Sequence, residues 1–315
     1  MNTHKTKLRL GTRSSKLALW QANWVAAALQ RRFPEIETEL VKINTRGDKT
    51  LDVLIPETGG KGFFTEELDH GLLNGEIDLA VHSLKDLPTA LPQGLELAAV
   101  CNRHWVHDVL LAREACTLDS LPYAAKVGTC SLRRTAQLLH HRPDLTILPL
   151  RGNVPTRIQK LLAGEYDAIV LAEAGVRRLG LIDHIVQRLP ASVMLPAPAQ
   201  GALGLEVLAS NQLAYKYAAV LDDSDARATT ACERALLNEL GAGCQVPVAA
   251  LAHGEGEELE CQALIAALDG SRLVRDSIRG QREEAQALGV TLARRLLREG
   301  GEEILAGVRM NNVAA

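Results

Sequence analysis

Lys126-Val127-Gly128-Thr129-Cys130-Ser131-Leu132-Arg133-Arg134 is the stretch whose reading decides the fold. A short apolar strand, 126–128, stops at a glycine, a helical run follows over 131–140, and another strand comes at 146–150. The alternation continues with a helix at 154–162, a strand at 168–171 and a helix at 173–179. Upstream the same rhythm runs through a strand at 8–11, an amphipathic helix at 17–31 closed by Pro34, and a strand at 38–43. A long irregular stretch, 44–62, precedes a helix at 64–73 and a buried strand at 77–81. Strand–helix–strand alternation of this kind predicts α/β domains with largely parallel, doubly wound sheets. Downstream the pattern changes to a helix at 226–240, three alternating strands at 246–252, 259–267 and 272–279, and a helix at 283–298, the signature of a smaller α+β domain with an antiparallel sheet. Crossings at 99–103 and 195–201, the second marked by Pro196 and Pro198, divide the chain into domain 1 (1–101 and 198–220, with a strand at 203–207), domain 2 (102–197) and domain 3 (221–315).

The chain has 315 residues, 47% hydrophobic and 23% charged, which suits a soluble globular protein of several domains. A formal charge of −3 and only 3% aromatic residues argue against nucleic-acid binding, which favours a basic face and stacking platforms. No apolar run reaches the length of a membrane span, and no signal peptide is visible near Met1. The six cysteines form no CxxC pair and no zinc-like spacing, so no metal is expected and a reduced, cytoplasmic setting is the simplest reading.

Arginines recur at turns and element ends, and their forks match carboxylates and phosphates. Gly11-Thr12-Arg13-Ser14-Ser15 sits where a strand becomes a helix; it reads equally as an anion site with Arg13 as clamp or as a plain turn capped by Ser14 or Ser15. In the decisive stretch, Thr129 and Ser131 offer hydroxyls. Arg133 and Arg134 oppose the helix dipole's preference for acidic residues in the first turn, so a counter-anion is expected there. Arg151-Gly152-Asn153 ends a strand, where ligands of open α/β sheets collect, with Arg157 one helical turn on. Arg177 and Arg178 end a helix, where dipole pairing alone accounts for one of them. Lys85-Asp86 follows the 77–81 strand; as an isolated pair it reads as a surface ion pair, but among arginines the carboxylate suits stabilisation of a cation or proton transfer. His82 reads as a packing residue. Gly60-Lys61-Gly62 lacks the rest of a phosphate loop. Cys244, between glycine and glutamine in a loop, is placed for reactivity, while the remaining cysteines, Cys130 aside, fit core filler.

Taken in order, these stretches resemble the hydroxymethylbilane synthase, or porphobilinogen deaminase, family over almost the whole chain. The resemblance is carried by Gly11 to Gln21, Thr45 to Asp48, Gly59 to Phe64, Val81 to Asp86, Ser131 to Arg134, Leu150 to Asn153, Gln200 to Ala202 and Gly243 to Pro247. It implies a transferase that condenses four porphobilinogen units head to tail, releases ammonia at each step and hydrolyses the product to 1-hydroxymethylbilane. It further implies two periplasmic-binding-protein-like domains and a third domain bearing a dipyrromethane cofactor on a thioether to Cys244. By the same resemblance Asp86 is the catalytic carboxylate. Lys85, Asp86, Ser131, Arg133, Arg134 and Gly201 hold the cofactor. Arg13, Ser15, Thr129, Arg151, Arg157 and Arg178 hold substrate carboxylates, and Lys61 and Phe64 lie in a mobile loop. Porphobilinogen is then the partner, with neither nucleic acid nor membrane involved, and a monomer is expected.

Two departures from the family's pattern stand out. His104-Trp105-Val106-His107-Asp108 replaces a run with a proline and an arginine, and Cys130 replaces a serine. A non-catalytic anion-binding protein on the same architecture is the rival from another class; the third domain and the Cys244 loop argue against it. A cysteine-dependent acyl transferase lacks an evident histidine partner.

Overall fold

A computed structural model of the chain describes residues 6–45, 65–241 and 246–314. Its elements are, in chain order, β1 (Thr6–Arg13), α1 (Lys16–Arg32), β2 (Ile36–Ile43), α2 (Glu66–Leu73), β3 (Leu79–Ser83), a 3-10 turn (Leu84–Asp86) and β4 (Leu95–Cys101). Next come β5 (Asp108–Ala112), β6 (Lys126–Gly128), α3 (Leu132–His141), β7 (Thr146–Leu148), α4 (Val154–Leu162), β8 (Ala168–Ala172), α5 (Glu173–Arg178) and β9 (Ile185–Arg188). The chain closes with β10 (Leu203–Leu208), α6 (Gln212–Ala219), α7 (Ser224–Glu239), β11 (Val248–Glu255), β12 (Glu258–Ala266), β13 (Leu273–Gln281), α8 (Ala285–Leu296) and α9 (Glu302–Ala314). Two compact units result, one of residues 1–103 with 202–227, the other of 104–201 with 228–315.

The first unit holds a five-stranded sheet in the order β2-β1-β3-β10-β4. β1 runs parallel to β2 and β3, whereas β10 is antiparallel to both of its neighbours. Period-two alternation sends Leu8, Leu10, Leu79 and Val81 to one face, where α1 and α6 cover them with Val25, Leu29 and Tyr217. Ala80 points the other way, to Leu68 and Leu72 of α2. Helices on both faces make the sheet doubly wound.

The second unit contains a sheet with the equivalent order, β7-β6-β8-β5-β9. β5 is its antiparallel insert. Leu110 and Ala112 face α3, while Val109 and Leu111 face α4 and α5. In both sheets the antiparallel insert is the strand that enters straight after a crossing, which is why the sheets are mixed rather than largely parallel as predicted. The second unit also carries the antiparallel sheet β11-β12-β13. α7 and α8 cover one face of it through Leu236, Leu292 and Leu296. Its other face meets α3 through Ala136, Ala249 and Leu264. Each fully buried leucine contributes about 2 kcal/mol to this packing.

Within the described residues, β4, β9 and α6 are elements that the sequence reading left out. The predicted helix at 283–298 is present as α8 with a 3-10 turn before it; Gly300 at φ 108° follows it, after which the chain continues as α9, which the sequence reading also left out. No helix among the described residues is long and apolar enough to cross a membrane.

Candidate active site

In the first unit, β1, β3 and β4 all end at one sheet edge, and the chain leaves and re-enters the unit there, since Cys101 and Ser83 both pair with Leu203. Arg13 ends β1 at this edge, and α1 begins three residues later. Thr12, fully buried, fixes the turn by donating from Oγ1 to the Ala18 carbonyl at 3.1 Å. Ser15 is the N-cap, its hydroxyl accepting from the Ala18 N–H at 3.2 Å, so the plain-turn reading holds for Ser15 whatever else it binds. β3 ends in the Leu84–Asp86 turn. Leu84 is fully buried and its N–H donates to the Ala202 carbonyl at 3.0 Å, while Ser83 Oγ accepts from Gln21 Nε2 at 2.8 Å. These contacts fix the backbone on either side of Lys85 and Asp86, whose own side chains are half-buried at the edge.

The second unit repeats the arrangement. β6 and β7 end side by side, in register at Gly128 and Leu148. Thr129 is buried; its N–H donates to the Leu148 carbonyl at 3.0 Å and its Oγ1 accepts from the Ser131 N–H at 3.1 Å. Ser131 is the N-cap of α3 but makes no side-chain cap bond, and Cys130 beside it is exposed. After β7, Gly152 at φ 107° turns the chain, and its carbonyl accepts from Arg157 Nε at 2.7 Å. Asn153 caps α4, and Arg151 sits half-buried between β7 and this turn.

Arg133 and Arg134 are where the structure revises the argument from the helix dipole. Both are buried, and their counter-anion is Asp108, at the start of β5 and fully buried. Arg133 Nη1 lies 2.7 Å from Asp108 Oδ2, and Arg134 Nη2 lies 2.7 Å from Asp108 Oδ1. Arg133 also donates to the Leu195 carbonyl at 2.8 Å, and Arg134 to the Val170 carbonyl at 3.0 Å. Burial pulls the Arg133 guanidinium below its ordinary range, against the upward pull of Asp108. The dipole conflict is therefore met inside the protein and does not by itself require a ligand.

The two arginines ending α5 divide. Arg177 pairs with Glu173, Nε to Oε1 at 2.6 Å, and Arg188 reaches the same oxygen at 2.7 Å. Arg178 is buried and donates from Nη2 to the Gly201 carbonyl at 2.7 Å. Gly201 itself adopts φ 90°, and a Cβ there would stand 2.5 Å from the His104 carbonyl oxygen. That close approach of the 104–108 and 199–201 segments is tied further by Gln200 Nε2, which donates to the Val106 carbonyl at 2.8 Å. Glu233, fully buried on α7, accepts from the Ala199 and Ala252 N–H groups, both at 2.6 Å. Sequence reasoning gave no role to Asp108 or Glu233, and quoted Gln200 only within a family stretch. The available signal was a charged residue set in an apolar strand or helix face, which calls for a buried partner. Of the four cysteines read as core filler, Cys101, Cys232 and Cys261 are buried, whereas Cys116 is only half-buried against the core. Cys244, Lys61 and Phe64 lie outside the described residues.

Each unit thus presents a strand-end edge bearing cationic and hydroxyl groups, and Asp86 stands as a carboxylate among those of the first. The comparisons with known proteins supply what geometry leaves open. Residues 8–216 match the model described as porphobilinogen deaminase, dipyrromethane cofactor binding domain, and residues 228–298 match the porphobilinogen deaminase C-terminal domain. The chain belongs to the porphobilinogen deaminase family. It is 47% identical to the porphobilinogen deaminase of Geobacter sulfurreducens over 98% of this chain and 96% of the relative. It is 48% identical to that of Desulforudis audaxviator over 95% of this chain and 97% of the relative. Among solved structures, the Bordetella pertussis BvgS periplasmic VFT2 domain is similar at 15% identity and a TM-score of 0.40, covering 68% of this chain and 86% of that one.

Proposed function

We propose that this chain is a hydroxymethylbilane synthase in which Asp86 is the reacting carboxylate and Cys244 the point of cofactor attachment. The enzyme is a transferase of tetrapyrrole biosynthesis that joins four porphobilinogen molecules head to tail with loss of ammonia and hydrolyses the product to 1-hydroxymethylbilane. Its cofactor is dipyrromethane, which when bound supplies the primer to which the chain is joined. The single observation that carries the residue assignment is the strand-end setting of Asp86, held by Leu84, Ser83 and Gln21 at an edge that also carries Arg13 and Lys85.

The donor set fits a polycarboxylate: guanidinium and hydroxyl groups stand at the ends of adjacent parallel strands in each unit, with the Lys85 ammonium added in the first. Lys85 and Ser131 are the residues we assign to the cofactor, with Asp86, Arg133 and Arg134. For Arg133 and Arg134 this means acting from a guanidinium already anchored on Asp108, and for Gly201 it means shaping the crossing backbone. Arg13, Ser15, Thr129, Arg151, Arg157 and Arg178 are assigned to substrate acetate and propionate groups, for which arginine forks are the matching partners. Lys61 and Phe64 are assigned to a mobile loop.

Asp86 then does what a fixed carboxylate can do for this chemistry. Loss of ammonia from the aminomethyl group of porphobilinogen leaves a cation delocalised over the pyrrole, and a carboxylate held beside the ring nitrogen stabilises it without reorganising. The next ring's carbon attacks that cation, and the proton it sheds needs an acceptor, a role open to the same carboxylate. We further propose that the three-domain division read from the sequence describes the functional parts, and that the protein is a cytoplasmic monomer. Asp86→Asn tests the assignment, measured as ammonia release on cofactor-loaded protein. Turnover should fall by about 10²–10³ with the cofactor still attached, and a rate near that of the unaltered enzyme would remove Asp86 from the mechanism.

A further inference from the structure

Three ionisable side chains meet in the core of the first unit, apart from the anion-holding groups. Asp69, His82 and Glu206 are 6%, 5% and 0% exposed. His82 Nε2 lies 3.0 Å from Glu206 Oε2, and one oxygen or nitrogen from each of the three lies within 4.8 Å of the others. Strand register brings them together. His82 is opposite Gly204 and Ala80 opposite Glu206 across the antiparallel β3–β10 pair, so His82 and Glu206 stand diagonally on one face. Gly204 places no side chain between them. α2 lies on that face, packing Leu68 and Leu72 against Ile77 and Ala80, and brings Asp69 to the pair.

Two carboxyl groups at this separation in an apolar setting cannot both ionise without a large cost. Burial, and then the charge of Glu206, pushes the Asp69 carboxyl up to about 7; Glu66 on the same helix adds to the rise and His82 opposes it. Glu67, also on α2, is the remaining acidic group of that turn. Both Glu206 oxygens, His82 Nε2 and Asp69 Oδ1 lack a well-directed hydrogen bond from the rest of the protein, so they have chiefly one another. Buried polar groups in that position are stabilising when every member is satisfied and costly when one is removed.

We propose that Asp69, His82 and Glu206 are positioning residues for Asp86, a buried unit in which one proton is shared between the two carboxyl groups and which fixes the end of β3. His82 immediately precedes Ser83, and the Leu84–Asp86 turn departs from there. The unit therefore grips the strand from the α2 face while Gln21 holds Ser83 from α1. With a proton at Nε2, His82 donates to Glu206; with its own proton retained, Asp69 donates to Glu206 from the other side. This rests on the reading of Asp86 as the reacting carboxylate.

The test uses the full chain carrying its cofactor, with three variants measured side by side. Glu206→Gln should lower kcat by about ten-fold or more while KM stays within about two-fold, because it displaces Asp86 and leaves carboxylate binding alone. Asp69→Asn keeps a neutral group where the protonated acid stood and should retain kcat within about two-fold. It should also remove a pH dependence of stability. Asp69 holds its proton in the folded protein up to about pH 7 but loses it near the ordinary carboxylate value when unfolded, so folding takes up a proton between. The unaltered protein should therefore lose stability relative to Asp69→Asn as pH rises from about 4 to 7, with no further change above. An unchanged kcat in Glu206→Gln, a loss in Asp69→Asn as large as in Glu206→Gln, or a stoichiometric divalent metal in the native protein that Glu206→Gln lacks would each overturn the proposal. If Glu206→Gln does not fold, Glu206→Asp, which keeps the carboxyl group but withdraws it by one methylene, takes its place with the same expectation for kcat and KM, and an unchanged kcat there overturns the proposal. Asp86→Asn, run in parallel, separates the two readings. Inactive Asp86→Asn with fully active Glu206→Gln defeats only the positioning role, whereas active Asp86→Asn defeats the assignment of Asp86 itself.

Discussion

Asp108→Asn offers the sharpest test of how the arginine-rich edge of the second unit is built. Asp108 is fully buried and receives Arg133 through Oδ2 and Arg134 through Oδ1, each at 2.7 Å, with Gln200 Nε2 at 3.2 Å. The substitution keeps the size of the side chain and one acceptor but leaves two buried guanidinium groups with no opposing charge. Breaking a buried ion pair from one side costs about 3–5 kcal/mol. Two stranded cations place the expected loss at the upper end of that range. At about 2–4 °C per kcal/mol for a domain of this size, the melting temperature should fall by roughly 10–15 °C. Calorimetry or thermal melting followed by circular dichroism reads the change directly. Because the pair is buried, the difference should persist in about 1 M salt, where exposed pairs are screened. Tyr123→Ala, at a side chain 87% exposed, is the control and should stay within about 0.5 kcal/mol of the unaltered protein. A fall of less than about 2 °C for Asp108→Asn would refute the reasoning, because the two buried guanidinium groups would then not depend on Asp108 as their counter-ion.

Two further outcomes follow from the geometry. Gly201→Ala should cost about 1–3 kcal/mol, because it combines φ 90° with a Cβ 2.5 Å from the His104 carbonyl oxygen, and an unchanged melting temperature would mean that the crossing segments yield freely. Burial pushes the Glu173 carboxyl up, but Arg188 and Arg177 outweigh it and hold the group below its ordinary 4.5. Its contribution to stability is then present at neutral pH and disappears as pH falls below that value, so Glu173→Gln should destabilise at pH 7 and hardly at all in strong acid. A cost independent of pH would refute this account of Glu173.

Much of the fold was legible because local pattern and tertiary structure agree over it. The 126–150 stretch reads as strand, turn and helix from its own residues, and the three strands of the C-terminal meander alternate in sequence as they do in the sheet. What escaped depended on partners far along the chain. β10 joins a sheet whose other strands end a hundred residues earlier, so nothing in 203–207 announces that it runs antiparallel between β3 and β4. β4 was taken for a crossing because it is the last strand before one. At the site, the positions of Arg13, Lys85, Asp86, Thr129 and Arg151 at strand ends follow from the strand pattern alone. The burial of Arg133 and Arg134 on Asp108 does not, because their nearest sequence neighbours say nothing of β5. Asp69, His82 and Glu206 come from three elements, and only Glu206, a charge within an apolar strand, carried a hint.

The account stands or falls on a covalent group at Cys244. Intact-mass measurement of the native protein against Cys244→Ser tests this most directly. The account predicts that the native chain is heavier by one dipyrromethane beyond the difference of the substitution itself. Masses that differ by the substitution alone, in protein prepared with substrate present, would contradict it.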